Sequence, residues 1–334
     1  MAIIGKVMEK NVIYNLEFEK NKLPDGCADL IIADPPYYGI KGDFDFGYEF
    51  DEYIAKVEVW AKECKRLLRP SGTLIWYGND VNIAYNQVVL DKYFTLLNHC
   101  VIDKIGSVQQ IINQTKMRKL ASSTERFLLY EYKMSKENFR GKGAYNGTED
   151  HLRGSSMKII SSTIKESREK TGLSIKDCNR ILGRKKSWEH YESLGSGWRM
   201  IQREVYEKMQ DAAPNFWNVS YEDLLSMYEK RTREYQNNRR TLNITESTKD
   251  IFQIKMDSSY AKKVGHPTPK DEGLTARLIN MTTKQGALVV VPFAGSGTEC
   301  AMCAKYGRDF IGFEIDESYA KRATLRANSC KTLF

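Results

Sequence analysis

Residues 286–298 read Gly286-Ala287-Leu288-Val289-Val290-Val291-Pro292-Phe293-Ala294-Gly295-Ser296-Gly297-Thr298, and residues 310–315 read Phe310-Ile311-Gly312-Phe313-Glu314-Ile315. A wholly apolar run of this length, bounded by turn residues, reads as a buried strand. The glycines after it permit a tight turn in which another molecule approaches the backbone closely. Glu299–Lys305 then predicts a helix and Phe310–Ile315 a second strand. Strand, glycine turn, helix and strand within ~30 residues form a βαβ unit of a doubly wound α/β sheet. Such sheets bind ligands at the carboxyl ends of their strands.

The turn lacks the third glycine of a dinucleotide fingerprint and the Gly-Lys-Ser/Thr of a phosphate loop. Glu314 ends the second strand, where an acid accepts hydrogen bonds from both hydroxyls of a ribose. A glycine turn with a ribose acid and no phosphate contacts suits S-adenosylmethionine. It also fits a plain strand–helix connection with an exposed acid.

Near the other end, Ala28-Asp29-Leu30-Ile31-Ile32-Ala33 runs into Asp34-Pro35-Pro36-Tyr37. This is a buried strand stopped by prolines, which cannot donate to a ladder. A carboxylate and a rigidly held proline carbonyl at a strand end are two hydrogen-bond acceptors a few ångströms apart. The exocyclic amine of a base is a poor nucleophile because its lone pair is delocalised into the ring. Acceptance of both N–H bonds by Asp34 and Pro35 draws that lone pair out. Pro36 stiffens the turn, and Tyr37 can stack on an extruded base. Alone, the stretch fits equally a structural Asp before a proline turn. Beyond it, Tyr53, Ile54, Val57, Trp60, Ala61, Cys64, Leu67 and Leu68 have helical spacing. Arg69-Pro70-Ser71-Gly72 ends that helix, and strands follow at Thr73–Tyr77 and Arg126–Tyr132.

The middle of the chain differs. Residues 133–243 carry 22 Lys/Arg against 15 Asp/Glu, nearly all of the net +8. Such a balance suits a polyanionic partner, nucleic acid first, or an ordinary solvated basic face. Gly141–Gly147 reads as a loop or boundary. Ser162–Arg184 reads as helix, tight turn at Lys170-Thr171-Gly172, and a second helix capped by Ser174 and Asp177. That shape binds DNA in helix-turn-helix proteins and is also common as plain packing. Arg180, Arg184, Lys185 and Lys186 cluster where the second helix ends and are the candidate DNA contacts. Ser220–Arg240 predicts a further charged helix.

Seven scattered cysteines suit reduced thiols in a cytoplasm rather than a disulfide framework. Cys300 and Cys303, without a second pair or a nearby histidine, read as small residues packed on a helix, so no metal is expected. No apolar run approaches the ~20 residues of a membrane span, and no membrane or secretory signal is expected.

Asp34-Pro35-Pro36-Tyr37 and Phe293-Ala294-Gly295-Ser296-Gly297-Thr298 together resemble the motifs of amino-methylating DNA methyltransferases, the N6-adenine and N4-cytosine DNA methylases. The order here is catalytic motif, basic insertion, cofactor motif. It resembles their β group, whose sheet is circularly permuted. Leu23–Asp29, Leu67–Thr73 and Thr124-Glu125-Arg126 resemble family segments around the catalytic strand and a later one. His266-Pro267-Thr268-Pro269-Lys270 resembles the segment that closes over the cofactor, which assigns His266, Pro267, Thr268 and Lys270 to cofactor binding beside the glycine turn and Glu314. Two positions depart from the pattern: Asn15 stands where an acid is usual, and Pro269 where glutamine is common.

The resemblance implies a seven-stranded-type methyltransferase sheet over 1–135 and 255–334. An inserted, mainly helical target-recognition region fills 136–254, with its helix-turn-helix-like segment near 162–184. It implies site-specific methyl transfer from S-adenosylmethionine to a flipped base in duplex DNA. Asp first in the motif is associated mainly with adenine N6, and Ser with cytosine N4. Cytosine N4, an RNA amine and a protein glutamine are alternative targets. A catalytically silent DNA-binding module is the non-enzyme alternative. A second copy of the chain and a cognate restriction endonuclease are compatible partners.

Overall fold

The structure, a computed structural model, describes residues 8–39, 48–105, 123–133, 148–194, 198–238, 240–244, 249–255 and 258–330. The glycine-rich stretch 141–147 lies outside them. The chain divides into two compact units, Met1–Arg140 with Arg240–Phe334, and Gly141–Arg239.

The first unit contains the strands β1 (Val12–Asn15), β2 (Ala28–Ala33), β3 (Leu68–Gly78), β4 (Phe94–Ile105), β5 (Thr124–Tyr132), β6 (Ile251–Lys255), β7 (Leu288–Val291) and β8 (Asp309–Glu314). Among the described residues they form one eight-stranded sheet in the order β1-β8-β7-β2-β3-β5-β4-β6. Strands β1, β8, β7, β2 and β3 are parallel, β5 is antiparallel to both β3 and β4, and β6 pairs parallel with β4. The doubly wound α/β expectation holds, with one strand more than a seven-stranded-type sheet. That strand, β6, lies inside the 136–254 segment read as inserted but for its last residue, Lys255. The second compact unit is narrower because Ile251–Lys255 pairs with Val101–Ile105 of β4 instead.

Alternation along the strands builds two cores, one on each face. Ile13, Leu30, Ile32, Ile75, Phe127, Leu129, Val289, Val291 and Phe310 point to one side. There they meet α9 (Glu272–Thr282), α10 (Thr298–Lys305) and α11 (Glu317–Ser329). Ile31, Ala33, Leu74, Trp76, Leu128, Tyr130, Val290 and Phe313 point to the other, against α1 (Phe50–Leu67) and α2 (Ile83–Leu90). Period-2 side-chain direction with both sets apolar is what a strand covered on both faces requires. Tyr53, Val57, Trp60, Ala61, Cys64 and Leu67 form the buried stripe of α1, and Glu49 N donates to Glu52 Oε2 at its start (3.1 Å). Cys300 and Cys303 are fully buried on α10.

The proline turn expected at Arg69–Gly72 is not a separate loop. β3 begins at Leu68, and the register with β2 jumps from Ala28↔Leu68 to Leu30↔Thr73. The surplus residues are taken up as an irregularity, where a proline without an N–H is tolerated.

The second unit contains α3 (Thr148–Lys170), α4 (Ile175–Leu182), α5 (Glu189–Glu192), α6 (Arg203–Ala212) and α7 (Tyr221–Asn238). Helix α3 starts well before the expected Ser162. Gly172 (φ +72°) makes the turn, and Ser174 and Asp177 form a reciprocal cap: Asp177 N donates to Ser174 Oγ (3.2 Å) and Ser174 N to Asp177 Oδ2 (2.9 Å). Trp188, Tyr191, Phe216 and Met209 are fully buried in the core of this unit. Arg168 clamps Glu192 through Nε (2.7 Å) and Nη2 (3.0 Å). Among the described residues no helix is long and apolar enough to cross a membrane.

The tightest backbone approach in the sheet unit lies at the glycine turn. Gly297 has φ +72°, and a Cβ there would fall 2.7 Å from both Cα and Cβ of Ala323 on α11. Gly297→Ala therefore adds backbone strain to a clash with helix backbone. It is expected to lower stability by about 2–4 kcal/mol, read from urea unfolding midpoints.

Candidate active site

The carboxyl ends of β2, β7 and β8 open into one cavity of about 1490 Å³ within the first unit. Asp34, Pro35, Pro36 and Tyr37 line it, as do Phe293, Ala294, Gly295, Ser296, Glu314, His266, Pro267, Thr268 and Lys270. Every catalytic and cofactor residue expected from sequence thus faces this space except Gly297 and Thr298, which lie behind it and shape the turn. Arg180, Arg184, Lys185 and Lys186 belong to the second unit.

The acidic end of the cavity is organised by Lys270. Its ammonium lies 3.0 Å from Asp34 Oδ2 and 2.6 Å from Glu125 Oε1. Lys104 approaches the other Glu125 oxygen at 3.1 Å. The Tyr37 hydroxyl sits 2.7 Å from Asp34 Oδ1 and 3.0 Å from Glu125 Oε1. Burial raises the pKa of Asp34, with the Lys270 charge opposing it. Burial acts likewise on Glu125, but Lys270 and Lys104 outweigh it and hold that carboxyl at about 2. Burial works against the charge of Lys270, yet Asp34 and Glu125 keep its pKa above the ordinary value. Glu125, 2.6 Å from Lys270 and with Lys104 at its other oxygen, has the closer cations, and each Asp34 oxygen keeps a lone pair for a further donor. Burial and the two neighbouring acids raise Tyr37 well above its usual range, so it remains a neutral phenol tied by its hydroxyl.

The glycine turn is assembled from behind. Gly295 has φ +46° and its N–H donates to Glu314 Oε2 (2.7 Å), while Asp316 N donates to Glu314 Oε1 (3.0 Å). Each Glu314 oxygen keeps a lone pair for a further donor. Burial raises the Glu314 pKa, and these two N–H groups counter it. Arg326 on α11 donates to Ser296 O (3.0 Å) and Thr298 Oγ1 (2.9 Å), and pairs with Glu272 (2.7 Å). Phe293 sits edge-on to Trp60, 4.9 Å between centroids. His266, kept neutral by burial at about 4, faces Gly295: a Cβ there would lie 3.1 Å from its Nε2.

Asn15, which stands where an acid is usual, ties strand ends together. Its Nδ2 donates to Glu314 O (3.0 Å) and Ile315 O (2.8 Å). Sequence reasoning quoted Glu125 without a role and gave none to Lys104, Tyr77 or Glu299. Glu299 lines the cavity, is 4% exposed, and its Oε1 has no hydrogen-bond partner in the protein. Burial, with Asp34 adding to it, lifts its pKa to about 7. The signal in sequence is an acid in the first turn of a helix that runs on as Cys300-Ala301-Met302-Cys303-Ala304.

In the second unit Arg180, Arg184, Lys185 and Lys186 are all exposed. The loop bearing the last three is pinned by buried Asn179, whose Oδ1 accepts from Ser187 N (3.0 Å) and Trp188 N (2.9 Å).

A doubly wound α/β sheet thus brings the Asp34-Pro35 turn after β2 and the acid Glu314 at the end of β8 into one cavity. The chain matches the N6_N4_Mtase model, described as DNA methylase, over residues 28–325, and it belongs to that family. It is 32% identical over 139 residues to the Type II methyltransferase M2.DpnII of Streptococcus pneumoniae, covering 39% of this chain and 52% of that protein. It is 23% identical over 329 residues to the Type II methyltransferase M.HinfI of Haemophilus influenzae, covering 92% of this chain and 65% of that one. The chain spans about half the length of the first relative and under two thirds of the second. A putative DNA modification methylase of Thermus thermophilus, complexed with S-adenosyl-L-methionine, overlays with a TM-score of 0.50 at 17% identity. The overlay covers 95% of each chain, a likeness of fold.

Removing Lys270 takes from Asp34 the cation it pairs with and leaves Glu125 with Lys104. Lys270→Met is expected to cost about 3 kcal/mol in urea unfolding at pH 7. Lys104→Met, at a side chain 28% exposed, is expected to cost about 1 kcal/mol or less.

Proposed function

We propose that the protein is an S-adenosylmethionine-dependent DNA methyltransferase that methylates the exocyclic amine of a flipped base, adenine N6, in duplex DNA. The observation that carries this reading is that the Asp34-Pro35 acceptor pair opens into the same cavity as the Gly295 turn and Glu314. The residues fit the cofactor. Glu314 has lone pairs left for two ribose hydroxyls, the bare Cα of Gly295 leaves an approach to the backbone, and Phe293 offers an apolar wall. When bound, S-adenosylmethionine supplies a methyl group activated by its sulfonium. The cavity exceeds the ~300–1,000 Å³ usual for one ligand, so it has room for a base as well.

The chain's own part is orientation and electrostatics. Lys270 favours the ionised form of Asp34, against its burial. Asp34 and the Pro35 carbonyl accept the two N–H bonds of the target amine and release its lone pair towards the methyl group. The hydroxyl of Tyr37, fixed on Asp34, sets the angle of a ring that lines the cavity and can stack on the base. The base reaches this depth only out of the duplex. The Type II designation of the relatives fits a restriction–modification setting in the cytoplasm. Both bases present the same NH₂ to the acceptor pair, and adenine is chosen over cytosine on the resemblance, which associates Asp as first residue of the motif mainly with adenine.

The second unit is the target-recognition region in this reading. The exposed cluster of Arg180, near the end of α4, and Arg184, Lys185 and Lys186, on the loop stiffened by Asn179, meets DNA phosphates.

Asp34→Ala is expected to abolish transfer of tritiated methyl to duplex DNA while the protein stays folded. Wild-type product, digested to nucleosides, is expected to contain N6-methyladenine. Label in N4-methylcytosine alone would remove the adenine assignment, and label in RNA or protein alone would remove DNA.

Charge reversal at Arg184, Lys185 and Lys186 is expected to weaken DNA binding and flatten its dependence on salt by about three counterions. Gel-shift titrations at several salt concentrations measure both. An unchanged slope would leave the cluster as a solvated face.

A further inference from the structure

The reaction just described uses Asp34, Pro35 and Glu314 and leaves Glu299 without a task. Glu299 is 4% exposed, lines the cavity, and has one oxygen with no hydrogen-bond partner in the protein. The nearby cations are engaged elsewhere: Lys270 with Asp34 and Glu125, Arg326 with Glu272 and Ser296. A buried acceptor left unpaired is costly, and is tolerated where a ligand completes it.

We propose that Glu299 is the residue that recognises the ammonium group at the amino-acid end of the methyl donor. The inference rests on the S-adenosylmethionine reading and narrows it to one group. Four cationic or N–H-bearing centres compete for Glu299. The target amine has only two N–H bonds, and Asp34 and Pro35 accept both. The sulfonium carries no N–H bond, so it cannot satisfy an orphan acceptor. The adenine amine of the donor lies beyond the ribose from the sulfonium. Glu299 is on the Lys270 side of the cavity, since Oγ1 of the adjacent Thr298 lies 3.3 Å from the Lys270 carbonyl and Lys270 pairs with Asp34, whereas Glu314 is held by Gly295 and Asp316. The ammonium is the donor that remains. The raised pKa of Glu299 fits a carboxyl awaiting a close cation, whose arrival would draw off its proton.

Calorimetric titration of the full chain with two nucleosides tests this. S-adenosylhomocysteine keeps the ammonium and lacks the sulfonium, and 5′-methylthioadenosine lacks the whole amino-acid chain. Glu299→Gln keeps the shape and removes the charge. It is expected to weaken S-adenosylhomocysteine by about tenfold or more, the worth of a charge-assisted hydrogen bond. Binding of 5′-methylthioadenosine is expected to stay within about twofold of wild type. Equal losses for the two nucleosides would make Glu299 a structural residue and overturn the proposal, as would undiminished S-adenosylhomocysteine binding. A wild-type protein that binds neither nucleoside would instead overturn the cofactor reading beneath it.

Discussion

The Lys270 ammonium sits between two partly buried acids from separated strands, Asp34 just beyond β2 and Glu125 in β5. Taking three charged groups out of water is expensive, and the cost is offset only when their geometry lets them satisfy one another. Lys104 completes the set on the far side of Glu125. Much else follows from this arrangement. Tyr37 is oriented because its hydroxyl lies beside both acids. The segment 266–270 must cross the glycine turn to deliver Lys270, and His266 is thereby held over Gly295. Thr298 Oγ1 is 3.3 Å from the Lys270 carbonyl, which ties the start of α10 to the same segment.

The two motifs met at opposite ends of the chain become neighbours because β7 pairs with β2 and with β8. Leu288 N donates to the side chain of Asp29 (2.8 Å), so the join is made by a side chain as well as by the ladder. Arg326 and Asn15 work from outside the cavity, one on the backbone of the glycine turn and the other on the carbonyls after β8. The second unit has its own aromatic core and its own buried Arg168–Glu192 clamp, which suits a region with a separate task.

Strands β2, β7 and β8 were legible because both faces are covered, which makes them continuous apolar runs ending in turn residues. The Ser174–Asp177 cap was legible for a similar reason, since its chemistry is local. Strand β6 was not. Ile251–Lys255 is an edge strand, with Ile251 and Gln253 exposed, so it carries no apolar run, and only its partner Val101–Ile105 identifies it. Strand β4 is half-buried and irregular near Asn98, which blurs its alternation. Asp34 and Glu314 could be placed at the carboxyl ends of apolar strands, and both line the cavity. Glu125, Lys104 and Glu299 could not be assigned, because their roles depend on neighbours brought together by the sheet. The proline turn at 69–72 was misjudged since a register irregularity inside a strand has the same local composition as a loop.

The position of β7 bears on how the chain acquires its shape. During synthesis β2 emerges early, with β3 as a neighbour on one side, while its other edge stays open until residues 288–291 are made. An uncovered edge of Leu, Ile and Ile is an invitation to pair with the wrong chain. Contacts so distant in sequence also close slowly. The helices of 148–238, by contrast, contain their own core and have all their partners at hand once translated. Nascent chains would then carry a formed helical unit and an unfinished sheet, a species whose unpaired strand edges are prone to aggregation.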